Sequence, residues 1–135
     1  MALMVWKEEF SVEVSQIDQQ HKHLVGLLNG LHEVMSRGGD AAEVAALLQD
    51  LVAYTRFHFD FEEKLMERAG YTGLEAHREK HRAMKAEVER LRALAEAKGS
   101  SVTHTLMAFL KNWLGKHICG TDKEYVPTMH RAGIV

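Results

Sequence analysis

Seven residues with metal-binding side chains fall at the ends of four apolar, helix-periodic segments, and no other feature restricts the fold as strongly. They are His21, the spaced pair His58-x3-Glu62, the spaced pair His77-x3-His81, His117 and Asp122. The first segment carries Ile17, Leu24, Leu28, Leu31 and Met35 at intervals of three and four, with His21 in the one remaining place on that stripe. Arg37-Gly38-Gly39-Asp40 ends it. The second runs from Ala41 to Arg68, with Val44, Leu48 and Leu51 leading on the same spacing to His58, Glu62 and Leu65. The third reads Leu74, His77, His81, Met84, Val88, Leu91 and Ala95, and stops at Lys98-Gly99-Ser100. The fourth carries Leu106, Leu110, Trp113 and His117 and ends near Gly120. Such intervals describe helices that each bury one stripe.

Short breaks between the segments favour antiparallel neighbours. The expected fold is therefore all-α, an up-down-up-down antiparallel four-helix bundle with an N-terminal arm. Residues 1–135 form one domain in this reading: arm 1–16, bundle 17–120 and C-terminal tail 121–135, with Trp6 and Phe10 of the arm lying against the bundle. His21 opens the first helix, His58 and Glu62 close the second, His77 and His81 open the third, and His117 closes the fourth. In an up-down-up-down bundle these starts and ends share one end, so the ligand-type residues meet at one height.

A single histidine on an apolar stripe is usually a hydrogen-bonded core residue. Five imidazoles and two carboxylates in one buried layer are different, because their desolvation is prohibitive unless something pairs them. A metal centre does so. His23 falls off its stripe, and His32 and His104 lie away from the site end. His130 sits in the tail, and nothing in its spacing brings it to the site. Asp122 is geometrically awkward, since five residues after His117 a regular helix has turned about 140° away. Gly120 is expected to end or distort the helix there and let the carboxylate swing back.

The rest of the chain narrows the class. Hydrophobic residues make up 46% and charged residues 27%, as in an ordinary globular domain, and a net charge of −2 gives no electrostatic case for nucleic acid. The N-terminus turns acidic before any long apolar core forms, so neither a signal peptide nor a membrane span is expected. Cys119 is the one cysteine, which excludes an intrachain disulfide and leaves a cytoplasmic protein as the simplest expectation. It is read as a small buried hydrophobe, with a place in the pocket lining as the alternative.

Imidazole with several carboxylates favours octahedral iron or manganese over tetrahedral zinc, which would use only four of the seven. Five imidazoles, two bridging carboxylates and a bridging solvent oxygen fill all but one of the positions of two octahedral ions. The run Ile17-Asp18-Gln19-Gln20-His21-Lys22, then His58-Phe59-Asp60-Phe61-Glu62-Glu63, then His77-x3-His81, then Trp113-Leu114-x2-His117-Ile118-x3-Asp122-Lys123 resembles the hemerythrins. The single-domain bacterial branch, the bacteriohemerythrins, is the most similar. The resemblance implies two iron ions (Fe2+/Fe3+) with an oxo or hydroxo bridge, and O2 as a reversible ligand. Carried over by position, His77, His81 and His117 coordinate one iron and His21 and His58 the other, five-coordinate iron, while Glu62 and Asp122 bridge. Leu114 and Trp113 correspond to walls of the O2 pocket; for each the plain alternative is core packing.

The function this implies is O2 storage or delivery to an oxygen-consuming enzyme, by a monomer without catalytic turnover. Two other classes stay open: an O2 or iron sensor, and a di-iron oxidase or peroxidase. Ferritin-like oxidases carry Glu-x-x-His on two helices, and that motif is absent from this chain.

Overall fold

Val14 enters the first helix in extended conformation, and Ser15–Ser36 then forms α1, burying Ile17, His21, Leu24, Leu28 and Leu31 along one face. The computed structural model describes residues 2–135. In it α1 is followed by α2 (Ala41–Ala69), α3 (Leu74–Lys98), α4 (Ser100–Lys116) and a short α5 (Val126–Arg131). Helix α1 packs on α2, α2 on α3, α3 on α4, and α4 back on α1, which closes the four-helix ring expected from the periodicity. No strand occurs among the described residues.

The breaks are chemically explicit. The Asp40 carboxylate caps α2 by accepting from the Glu43 amide at 2.8 Å, satisfying one of the free donors of a helix N-terminus. At the other end Gly70 adopts φ 72°, and Tyr71 N–H donates to the Met66 carbonyl at 3.0 Å. That left-handed step suits glycine because it has no Cβ to clash.

The N-terminal arm is tied down rather than loosely laid. Met4 and Asn29 exchange two hydrogen bonds of 2.9 and 2.7 Å, and Asp18 accepts from Val12 N–H and Ser11 O–H. Phe10 is buried and Trp6 packs beside it at 5.6 Å between ring centroids. Glu13 takes the unusual φ of 55°, and its carbonyl accepts from His130 Nε2 at 2.9 Å. His130 thus buckles the arm to α5 and lies apart from the ligand layer.

The fourth segment departs from the sequence expectation. Its regular helix stops at Lys116, and His117–Thr121 forms a π turn closed by a bond from Asp122 N–H to the His117 carbonyl. A 3-10 turn, Asp122–Tyr125, and α5 follow, so the C-terminal stretch is helical and covers the site end with buried Tyr125 and Met129. Gly120 is not in the left-handed region. The widened turn, rather than a glycine kink, brings Asp122 round to the side of His117. Cys119, two residues after His117 and so about 200° round the helix from it, has an exposed thiol 3.8 Å from the Glu9 carbonyl; it is neither core nor pocket lining. No described helix is long and apolar enough to cross a membrane.

Leu31 is completely buried beneath the helix faces. Leu31→Ala is expected to lower the unfolding free energy by about 2–5 kcal/mol, measured by urea denaturation. A loss within about 0.5 kcal/mol, typical of surface sites, would show that this position is not core.

Candidate metal centre

All seven candidate residues converge in one layer, each 6% exposed or less. They fall into two groups. His77 Nε2 lies 3.1 Å and His81 Nε2 3.2 Å from His117 Nε2. Across the layer, His21 Nε2 lies 3.0 Å from His58 Nε2. The two carboxylates run between the groups. Glu62 turns Oε1 toward His77 and His81, at 3.1 Å from each, and Oε2 toward His58 and His21 at 3.5 and 3.7 Å. Asp122 does the same, with Oδ1 at 2.9 Å from His117 and 3.0 Å from His77, and Oδ2 at 3.3 Å from His21.

Hydrogen bonding on the far side of the rings explains why these nitrogens crowd together. Glu63 Oε2 is 2.8 Å from His81 Nδ1, and a carboxylate can only accept, so Nδ1 carries the proton. His81 therefore turns its other nitrogen, Nε2, inward to within 3.1 Å of Glu62 Oε1. His58 is fixed the same way by Gln20 Oε1 at 2.7 Å from Nδ1. Both oxygens of Asp122 are fully buried and have no hydrogen-bond partner despite the nearby imidazoles. Their neighbours aim at a shared focus instead of along N–H···O lines.

Cations resolve this arrangement. With metal–nitrogen bonds of about 2.1 Å, neighbouring ligands of an octahedral ion stand about 3.0 Å apart and those of a tetrahedral ion about 3.4 Å. The nitrogen separations of 3.0, 3.1 and 3.2 Å lie on average nearer the octahedral value. Residues that could hold one ion are Glu62, His77, His81, His117 and Asp122, and a second group is His21, His58 and Glu62. The donor set fits a pair of cations, with Glu62 in both groups.

Two features were not legible as site residues in the sequence. Tyr125 lies in a stretch without helical periodicity, yet it is wholly buried and its hydroxyl donates to Glu62 Oε2 at 2.9 Å. Burial and the nearby carboxylates hold this phenol well above its ordinary pKa, so it keeps the proton it donates. Gln20 precedes a ligand-type histidine without sharing its stripe, and its role shows only when α2 is beside it. Trp113 is half-buried and stacks on His117 at 4.1 Å between ring centroids, and Phe59 stacks on His81 at 3.7 Å. Leu114 is buried and, with Leu24, Leu28, Thr55, Phe59 and Trp113, lines an apolar cavity of about 20 Å³ one turn deeper than the ligand layer. His23, His32 and His104 stand outside the layer.

Without an ion the cluster must be held by protons. Burial opposes a charge on His21, but the adjacent carboxylates of Asp122 and Glu62 prevail and raise its pKa from 6.5 to about 9; His77 behaves alike. Burial keeps His58 below its ordinary value. Burial also works against ionised Glu62 and Asp122, yet the surrounding imidazoles hold both carboxyls below their usual range. For His21 and His77 the folded pKa exceeds the unfolded one, so their contribution is present below pH 6.5 and is lost as pH rises through 9. The thermal midpoint of metal-stripped protein should fall over this window, whereas metal-loaded protein, with neutral imidazole ligands, should not share the fall. Melting curves by circular dichroism, with and without chelator, check this; equal slopes would refute it.

Comparison with known proteins agrees with this geometry. The model of the hemerythrin HHE cation-binding domain matches residues 12–129. A bacteriohemerythrin of Stenotrophomonas maltophilia is 38% identical over 93% of this chain and 80% of its own length. One from Methylococcus capsulatus is 32% identical over 96% of this chain and 98% of its own. A myohemerythrin of Riftia pachyptila is 30% identical over 90% of this chain and 89% of its own. A wild-type hemerythrin crystal structure superposes with a TM-score of 0.86 at 32% identity, covering 95% of this chain and 98% of that one. The helix order, the converging donors and these relatives lead to one conclusion: the chain belongs to the hemerythrin family.

Proposed function

We propose that this protein binds dioxygen reversibly at a non-haem di-iron centre and stores or delivers it without catalytic turnover. The observation that carries the reading is the split of Glu62 and Asp122, each with one oxygen toward each histidine group. In this reading His77, His81 and His117 would hold one iron and His21 and His58 the other, with Glu62 and Asp122 offering an oxygen to each. The side with two imidazoles would be the one left able to take dioxygen. When bound, the iron pair supplies the electrons that capture dioxygen and takes them back on release.

The chain's own residues supply the rest. Leu114, three residues before His117, and Trp113, stacked on it, wall the ligand layer on the core side and keep water from it. Tyr125 holds Glu62 by its hydroxyl. Arm, bundle and C-terminal segment act as one domain, since the arm and α5 close the end where the ligands lie. A cytoplasmic monomer serving an oxygen-consuming enzyme fits this reading. An oxidase would want a carboxylate-rich donor set to support strongly oxidised iron, and five imidazoles with two carboxylates are the opposite balance.

Anaerobic reconstitution with Fe2+ should give two irons per chain and a visible colour that forms in air and vanishes under vacuum through repeated cycles. Irreversible bleaching with consumption of oxygen would replace the carrier reading with an oxidase. His77→Ala should lower the affinity for iron by more than the 10–100-fold typical of a lost outer partner, read by competition with a ferrous chelator. Wild-type affinity in that variant would remove His77 from the ligand set.

A further inference from the structure

The two histidine groups are not backed alike. Behind His81, Glu63 Oε2 accepts from Nδ1 at 2.8 Å; behind His58, Gln20 Oε1 accepts from Nδ1 at 2.7 Å. Both imidazoles are buried to 2% exposure or less, so each feels its partner with little screening from solvent. Nδ1 of His21 and of His77 has no partner at all. The one charged acceptor behind a ring thus serves the three-histidine group, and a neutral amide of similar shape serves the two-histidine group.

We propose that Glu63 is a positioning residue that makes the His77, His81 and His117 group the tighter of two cation sites, by placing a full negative charge behind His81. The inference rests on the reading that this cluster holds two cations. A carboxylate draws the Nδ1 proton toward itself and pushes electron density to Nε2, which strengthens that nitrogen as a donor. An amide oxygen orients the ring equally well and pushes less. Nearby cations do not cancel the effect. Arg78 reaches Glu63 Oε1 at 3.3 Å, but it also reaches Glu75 at 2.6 Å and Glu67 at 3.5 Å. One guanidinium is shared among three carboxylates, and a net negative charge stays beside His81.

Substituting glutamine for glutamate separates charge from shape, because the amide oxygen still accepts from Nδ1. Anaerobic titration of wild type, Glu63→Gln and Gln20→Glu with Fe2+, in competition with a colorimetric ferrous chelator, yields two dissociation constants per protein. Glu63→Gln should weaken the tighter constant about 10–100-fold and leave the weaker one unchanged. Gln20→Glu should tighten the weaker constant and bring the two together. Unchanged constants in Glu63→Gln, or both weakening in step, would overturn the proposal. Should Glu63→Gln fail to fold, an unaltered weaker constant in Gln20→Glu overturns it instead. A wild-type protein that takes up fewer than two ions refutes the di-iron reading, whereas two ions with no difference between variants refutes only the role of Glu63.

Discussion

Crowding of buried ligand-type atoms that satisfy one another only in part is the constraint on which the rest of this structure depends. Imidazole nitrogens at 3.0 to 3.2 Å from one another and two buried carboxylates between them do not form a self-satisfied network. With Nδ1 of His58 and His81 committed to Gln20 and Glu63, Nε2 is the nitrogen that each of those rings turns into the layer. Protons relieve this in part, as the raised affinities of His21 and His77 for them attest. Cations relieve it fully. Donors that protons hold together only in part would thus be held fully in a loaded bundle, and metal binding would add to folding energy.

Delivering seven donors to one layer sets demands on each helix. Four of the five histidines come from regular helix and need only correct phase. The fifth, His117, begins the π turn, and Asp122 requires that defect, because no undistorted helix presents residues five apart on one face. The π turn widens the backbone by one residue and then hands over to a 3-10 turn and α5. That continuation places Tyr125 against Glu62 and Met129 in the core. One local departure from α geometry thus aims a carboxylate and lays the cover over it.

The fold was legible because it is written in stripes. Ile17 through Leu31, Leu48 through Leu65, and Leu74 through Leu91 each keep helical phase, and the ligand positions sit in that phase. Topology then forces them together. What sequence did not reveal has a common physical origin, which is dependence on a neighbour from another element. Gln20 is one residue off the His21 stripe and finds its use only against His58 of α2. Tyr125 follows a break in periodicity, so its burial depends on how α5 folds back. Cys119 is the exception: two residues after His117 it stands about 200° round the helix from the buried face, so its exposure follows from the phase of the fourth segment itself.

The cavity beneath the layer links packing to function. Its walls include residues one or two turns removed from the ligands: Leu24 and Leu28 after His21, Thr55 before His58, and Leu114 before His117. A void of about 20 Å³ has room for a water-sized molecule, but a water needs polar partners, and this lining is apolar. Thr55 is no exception, since its hydroxyl is spent on the Leu51 carbonyl at 2.8 Å. The helix stripes that fold the bundle therefore also keep the core side of the ligand layer dry. The donor cluster is thus backed by a wall that offers water no partner, and its stabilisation has to come from the protons or ions that the donors themselves hold.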